Sequence, residues 1–281
     1  MEMWFEEKEA NSLRYGYRVL DLLYRGKSDF QTVDIVKTEA YGNMMLIDGL
    51  VMLTDQDEFV YHEMIAHIPA LLHPRVKNVV VIGGGDGGTV RELLKHEQIA
   101  SIDLCEIDGL VIECAKKYFP KVSVGLSDPR VSVHVTDGIE YVKNLPASSV
   151  DLLIVDSTDP IGPGEGLFTE KFYGDVYKAL RPDGLMVCQS ESPWQPSHSL
   201  RGIWQNIATN FDFVKPYLGS VPTYPRGFWS WTMAAKAPFD VAAFDRGRLE
   251  KIAGTLEYLN QDMFLAAFAL PNFYRHKLGL D

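Results

Sequence analysis

Asn78–Glu92, NVVVIGGGDGGTVRE, decides the fold. Val79–Ile82 is a β-branched apolar run, as expected of a strand buried on both faces of a parallel sheet. Gly83–Gly88 (GGGDGG) then interrupts regular structure, and Thr89 with Leu93 and Leu94 opens a helix. Strand, glycine loop, helix is the ligand-binding corner of a doubly wound α/β sheet. Glycine lets the backbone turn sharply there and come close to a ligand. Gly83, Gly85 and Gly88 satisfy G-x-G-x-x-G, which dinucleotide enzymes share. Asp86 argues against a dinucleotide, because the pyrophosphate would sit at this helix N-terminus beside a like charge. A cationic S-adenosyl compound, with a sulfonium and no phosphate, fits better. A turn with no ligand would not need five glycines in six residues.

Outward from this loop the pattern alternates. Strands are expected at Ser101–Cys105, Val131–Val135, Val150–Val155 and Leu185–Gln189, with helices Leu110–Phe119, Ile139–Leu145 and Glu170–Leu180 between them. Thr169 and Ser197 are candidate helix caps. Phe213–Leu218 and Phe228–Ala235 close the series, and Arg246–Leu270 reads as helices. Such alternation predicts a parallel α/β sheet. Asp57–Leu72 has helical spacing and leads into it. Its His62, Glu63 and His67 do not make H-E-x-x-H, so polar residues on the helix surface are expected rather than a metal site. Residues 1 to about 57 differ: Phe30–Lys37, Met44–Ile47 and Leu50–Leu53 read as strands, with a hairpin turn at Asp48-Gly49. The expected organisation is a small antiparallel β domain at 1–57 and a Rossmann-like domain at 58–281. So short a β unit must pack on the larger domain or on a second subunit.

Composition narrows the function. The chain of 281 residues carries a formal charge of −11, which disfavours nucleic acid and favours cationic small molecules. No apolar run is long enough for a membrane helix, and MEMWFEEKEA lacks a signal-peptide core. Cys105, Cys114 and Cys188 form no disulfide framework, so a cytoplasmic protein with reduced thiols is expected.

Four consecutive strands end in acid: Asp86 just past the first, then Glu106, Asp137 and Asp156. Ligands of open α/β sheets bind outside the carboxyl ends of the strands, so these acids should line one crevice. Glu106, about twenty residues after the loop, lies where an acid takes ribose hydroxyls. Asp137-Gly138 should approach the adenine. Each acid could instead merely cap the following helix. Asp156–Phe168, DSTDPIGPGEGLF, is too rich in Pro and Gly for helix or strand and reads as a lid. Tyr224, Trp229 and Trp231 offer cation–π faces for an ammonium, although at least one tryptophan should be sheet core.

YHEM (Tyr61–Met64), GGGDGG (Gly83–Gly88), EID (Glu106–Asp108), SDPRV (Ser127–Val131), DSTDPIGP (Asp156–Pro163) and PTYP (Pro222–Pro225) together resemble the spermidine synthases, a family of polyamine aminopropyltransferases. The similarity runs from about Phe30 to AAFALP near the C-terminus. It implies an N-terminal β domain, a methyltransferase-type Rossmann-like domain, and a homodimer or homotetramer. It also implies transfer of an aminopropyl group from decarboxylated S-adenosylmethionine, a co-substrate, to putrescine, with no cofactor and no metal. By motif, Asp156 matches the catalytic base. Gln31, Glu106, Asp137, Gly138 and Pro163 match adenosyl-binding positions. His62, Asp86, Asp156, Ser157, Thr158 and Asp159 match polyamine-binding positions, with Tyr61 and Tyr224 beside them. Some members carry Gln where His62 stands, and a second Asp where Thr136 precedes Asp137.

The residue chemistry agrees with this. A primary amine must lose a proton before it can attack the carbon beside a sulfonium. An alkylammonium with a pKa near that of lysine, roughly 10.4, needs a carboxylate to take that proton. A methyltransferase of the same fold and a non-catalytic polyamine-binding protein are the alternatives. Putrescine, cadaverine, agmatine and spermidine cannot be separated as acceptors, because packing sets the pocket length.

Overall fold

Residues 2–9, 13–159, 162–194 and 197–280 are described by a computed structural model of the chain. Five strands open it as an antiparallel meander in sequence order: β1 (Met3–Glu9), β2 (Leu13–Lys27), β3 (Thr32–Thr38), β4 (Gly42–Ile47) and β5 (Leu50–Thr54). The β4–β5 turn sits at Asp48 and Gly49, both at positive φ (49° and 81°), as a two-residue hairpin of matching twist requires. β1 and β2 were not expected from the sequence.

After α1 (Glu58–Leu72) the chain alternates: β6 (Asn78–Gly83), α2 (Gly88–Leu93), β7 (Ser101–Glu106), α3 (Gly109–Tyr118), β8 (Val131–Val135), α4 (Gly138–Asn144), β9 (Val150–Asp156), α5 (Glu170–Ala179) and β10 (Leu180–Gln189). α6 (Ser197–Ala208) leads to β11 (Phe213–Gly219) and β12 (Trp229–Ala235). The seven-stranded sheet has the order β11-β12-β10-β9-β6-β7-β8. β10, β9, β6, β7 and β8 run parallel, while β12 is antiparallel to both β10 and β11. Only β12 therefore runs against the expected parallel direction; β11, antiparallel to β12, points the same way as β10. Only a short loop joins β11 to β12, and a short loop can link only antiparallel neighbours.

Every residue of β9 is buried, and Val79–Ile82 of β6 likewise, because helices cover both faces. One face packs on α1 and on the C-terminal helices α7 (Arg246–Ile252) and α8 (Gln261–Ala266); the other packs on α4, α5 and α6. A last helix, α9 (Asn272–Leu278), lies against α6. The N-terminal sheet does not stand alone. Val33, Ile35, Met45, Ile47 and Leu53 bury against Val111, Cys114, Ala115 and Phe119 of α3 and its end. Asp108, Asp137 and Thr169 cap α3, α4 and α5 through their side chains. Ser197 as a cap lies outside the described side chains.

α1 is tied to segments far away in sequence. Glu63 accepts hydrogen bonds from the backbone N–H groups of Glu257 (2.7 Å), Tyr258 (3.1 Å) and Leu259 (2.7 Å). Asp57, just ahead of α1, accepts from Thr54 Oγ1 (2.6 Å) of β5 and from Thr223 N (2.8 Å). The start of the helix is thereby fixed to β5 and to the loop between β11 and β12, and its middle to the segment before α8.

Candidate active site

β6 and β9 are neighbours, but their connections leave in opposite directions, so the crevice beyond their carboxyl ends is the topological switch point. Gly83 stands opposite Asp156 in the ladder, and Gly84 N donates to the Asp156 carbonyl at 2.8 Å. Gly83 has φ +81°, and a Cβ there would overlap that carbonyl oxygen. Only glycine permits this approach. The glycine loop and the strand-end acid are thus held at one fixed offset.

Asp156 is buried, with Tyr61 Oη donating to Oδ1 (2.8 Å) and Thr89 Oγ1 donating to Oδ2 (2.6 Å). Burial, and then the Asp86 carboxylate, push its carboxyl group above the usual range, against the pull of His62 and the two hydroxyls. Asp86 Oδ1 accepts from Gly88 N (2.7 Å) and lies 3.2 Å from His62 Nε2. Burial would raise Asp86, but His62 outweighs it and holds the carboxyl low. Glu106 accepts from Gly85 N (3.1 Å) and Asp108 N (2.9 Å), and burial pushes it to about 7. Asp137 Oδ1 accepts from Ile139 N, so it caps α4 and also lines the crevice. Gln31 reaches from the N-terminal sheet to Asp108 Oδ2 (3.0 Å).

Two clefts meet here. The first is walled by Gly83–Asp86, Glu106, Asp137, Gly138 and Asp156. Its glycine floor and strand-end acids suit a nucleoside with a cationic arm. The second is walled by Glu7, Asp159, Glu191, Pro225 and Trp229. Acids and aromatic faces together suit an alkylammonium. Burial, and then Glu191, push Asp159 to about 7. Met52, Tyr61, Ser157, Thr158 and Tyr224 line both clefts, and Asp156 lies in the first beside them. A carboxylate at the junction of two such spaces can take a proton from a group entering from the second while a carbon is presented from the first.

The four strand-end acids therefore face one crevice. Tyr61, His62, Ser157, Thr158, Tyr224, Gln31 and Gly138 join them, and Asp159 faces the adjoining cleft. The Pro163 side chain lies outside the described residues. Tyr224 spends its hydroxyl on the Met52 carbonyl (2.7 Å), which leaves the ring face to the clefts. Trp231 is sheet core, stacked on Tyr217 at 5.4 Å, whereas Trp229 lines the second cleft.

Two expectations are corrected. His62, Glu63 and His67 are not surface residues of α1 but are buried, with relative exposures of 3%, 1% and 0%. Each finds polar partners: Glu63 the backbone amides above, and His67 both Glu92 and His96. Among the described residues, no cluster of three or more His, Cys, Asp or Glu side chains could hold a metal. Within DSTDPIGPGEGLF, Gly162–Phe168 forms a 3₁₀ run, because the tighter turn tolerates the glycines that an α-helix resists. Sequence reasoning missed Glu7, Gln189 and Glu191. Gln189 and Glu191 end the next parallel strand, β10, so the strand-end rule extended by one strand finds them. Glu7 comes from unrecognised β1.

Residues 58–243 match the spermine/spermidine synthase domain, and residues 3–55 match the spermidine synthase tetramerisation domain. The polyamine aminopropyltransferases of Alkaliphilus oremlandii and Clostridium perfringens (strain 13 / Type A) are each 42% identical over 280 residues, covering 99% of this chain and 98% of theirs. A solved spermidine synthase in complex with the transition-state analogue AdoDATO superposes with a TM-score of 0.96 at 41% identity, covering 99% of this chain and 96% of that one. The spermidine synthase of Thermotoga maritima gives 0.94 at 41% identity, covering 99% and 95%. With family matches over both sheets and relatives aligned end to end, the chain belongs to the spermine/spermidine synthase family and is a transferase, a polyamine aminopropyltransferase.

Proposed function

We propose that the enzyme makes spermidine from putrescine and decarboxylated S-adenosylmethionine, with Asp156 as general base. The observation that carries this is Asp156 itself, gripped by Tyr61 and Thr89 where the two clefts meet. Putrescine enters as a diammonium. Asp156 takes one proton, and the freed nitrogen lone pair attacks the methylene carbon beside the sulfonium. The carbon–sulfur bond breaks, sulfur keeps the electron pair, and 5′-methylthioadenosine leaves. The electrophile carries its own leaving group, so the reaction needs neither metal nor cofactor. What the protein supplies is alignment and a proton acceptor, the latter worth roughly 10²–10⁴-fold.

In this reading Glu106, Asp137, Gln31, Gly138 and Pro163 are the positions that bind the adenosyl end. His62, Asp86, Ser157, Thr158 and Asp159 hold the amines, with Tyr61 and Tyr224 as walls. The similar spermidine synthase solved with the transition-state analogue AdoDATO supports aminopropyl transfer. The domain division at residue 57 follows the gap between β5 and α1. The N-terminal sheet exposes Trp4, Leu20 and Leu22, apolar area suited to a homodimer or homotetramer contact. The three cysteines are buried and unpaired, in keeping with the cytoplasm, and no helix of the described residues could cross a membrane. Incubation with decarboxylated S-adenosylmethionine and a panel of amines, with products identified by mass, tests the reading. Spermidine from putrescine with equimolar methylthioadenosine is expected. Clear preference for a longer amine would overturn the acceptor, and methyl transfer would overturn the donor.

A further inference from the structure

His62 lies buried on α1 with a carboxylate at each end of its ring. Glu58 Oε2 is 2.5 Å from Nδ1 and Asp86 Oδ1 is 3.2 Å from Nε2. A neutral imidazole has one N–H and one lone pair, so one carboxylate would face that lone pair. Only the imidazolium offers both carboxylates a donor. Behind it the charges continue to alternate. Arg91 grips Glu58 with a two-pronged fork (2.8 and 2.9 Å) and donates through Nε to Glu92 (2.8 Å). Glu92 also meets Lys95 and His67, and His67 meets His96. Neither Glu58 nor Arg91 lines either cleft.

Asp86 and Asp156 do face one cleft. Two acids in a shared, dry site resist ionising together, and one of them keeps a proton. A base already protonated cannot accept another proton. A fixed cation at Asp86 removes the conflict.

We propose that Glu58, braced by Arg91, is a positioning residue for aminopropyl transfer: it locks His62 as an imidazolium against Asp86, so that Asp86 and Asp156 are carboxylates at the same time. This rests on the reading of Asp156 as the base. The groups facing His62 are Glu58 on its own helix, Asp86 of the glycine loop, Asp156 of β9, Arg91 of α2 through Glu58, and Tyr61, whose ring meets it edge-on at 5.5 Å. Burial alone would neutralise the ring; Asp86 and Glu58 outweigh it and push it to about 10. Gly88 packs so closely on the ring that a Cβ would overlap it, which leaves His62 no room to turn away.

The wild-type enzyme with ¹⁵N-labelled histidine gives the first measurement. Both ring nitrogens of His62 should carry imidazolium shifts throughout about pH 6 to 8.5, and titration near the free value of roughly 6.5 would overturn the proposal. Glu58→Gln keeps the shape and removes the charge. Its acidic limb of kcat/KM should move to higher pH, with about tenfold lower activity near neutral pH and recovery above about pH 9. In a His62→Gln background the same change should move the limb no further. An unmoved limb in the first case, or an equal shift in the second, sinks the idea. If Glu58→Gln does not fold, the nitrogen shifts of the wild type decide. Wild-type enzyme that turns over no amine would refute the transferase reading instead, and the nitrogen shifts would still judge the imidazolium.

Discussion

Thr89→Val is the sharpest test of how Asp156 is tuned. The substitution keeps the buried shape and deletes one hydroxyl, and Thr89 itself lines neither cleft. The hydroxyl lost donates to Asp156 Oδ2 at 2.6 Å. A hydrogen bond to an ionised group is worth about 1.5–3 kcal/mol. It stabilises only the carboxylate, so its loss favours the protonated acid. At 1.36 kcal/mol per unit, the carboxyl group should titrate about one to two units higher. Asp156 already stands above the ordinary carboxylate range through burial and Asp86, and the lost bond adds to that shift. The sign is fixed: the base is lost as pH falls through its pKa, so a raised pKa moves the acidic limb of kcat/KM upward. The assay is kcat/KM for the diamine from about pH 6 to 10, for wild type and variant. The plateau at high pH should be shared. A limb that stays in place while the plateau drops would mean that Thr89 serves packing alone, and the account of Asp156 tuning would fail.

Asp156→Asn should lower turnover roughly 10²–10⁴-fold while calorimetry still detects donor binding; wild-type-like turnover at neutral pH would refute the base assignment. Asp86→Asn should weaken the decarboxylated donor and relax rejection of intact S-adenosylmethionine, whose added carboxylate meets Asp86 and Asp156 in a partly dry site. An unchanged affinity ratio between the two donors would remove Asp86 as the selector. Residues 157–168 should gain hydrogen-exchange protection when donor binds, because the transfer excludes water; equal protection with and without donor would count against a lid.

The parallel half of the fold was legible because burial on both faces writes continuous apolar runs, and the glycine loop fixes where one ends. Asp86, Glu106, Asp137 and Asp156 follow from a single rule applied to successive strand ends. β2 was not legible for a physical reason. Over its 15 residues only Val19 is buried; Leu13, Tyr15, Tyr17 and Val19 alternate with Arg14, Gly16 and Arg18, but Leu20, Leu22 and Leu23 break the alternation, and Gly16 and Gly26 weaken its propensity further. The antiparallel β11–β12 pair was visible as strands but not in direction, which depends on the connection rather than on composition. The charge chain behind His62 was out of reach for another reason. Glu58 and His62 are four residues apart on one helix, but Arg91 lies 33 residues from Glu58 on another element. Nothing in the local pattern joins them.

The bond from Glu63 to the far end of the chain bears on how the protein is made. A ribosome delivers α1 early, but the first of the amides that satisfy Glu63 is 194 positions further on. Burying that acid without its donors is costly, so the nascent helix has little reason to settle into its final seat. Tyr61 and His62 ride on the same helix. Synthesis must therefore reach about Leu259 before these two side chains are anchored, and shorter growing chains carry an unfinished pocket. N-terminal segments ordinarily fold first as they emerge; here the β meander can do so, while chemistry waits for the tail.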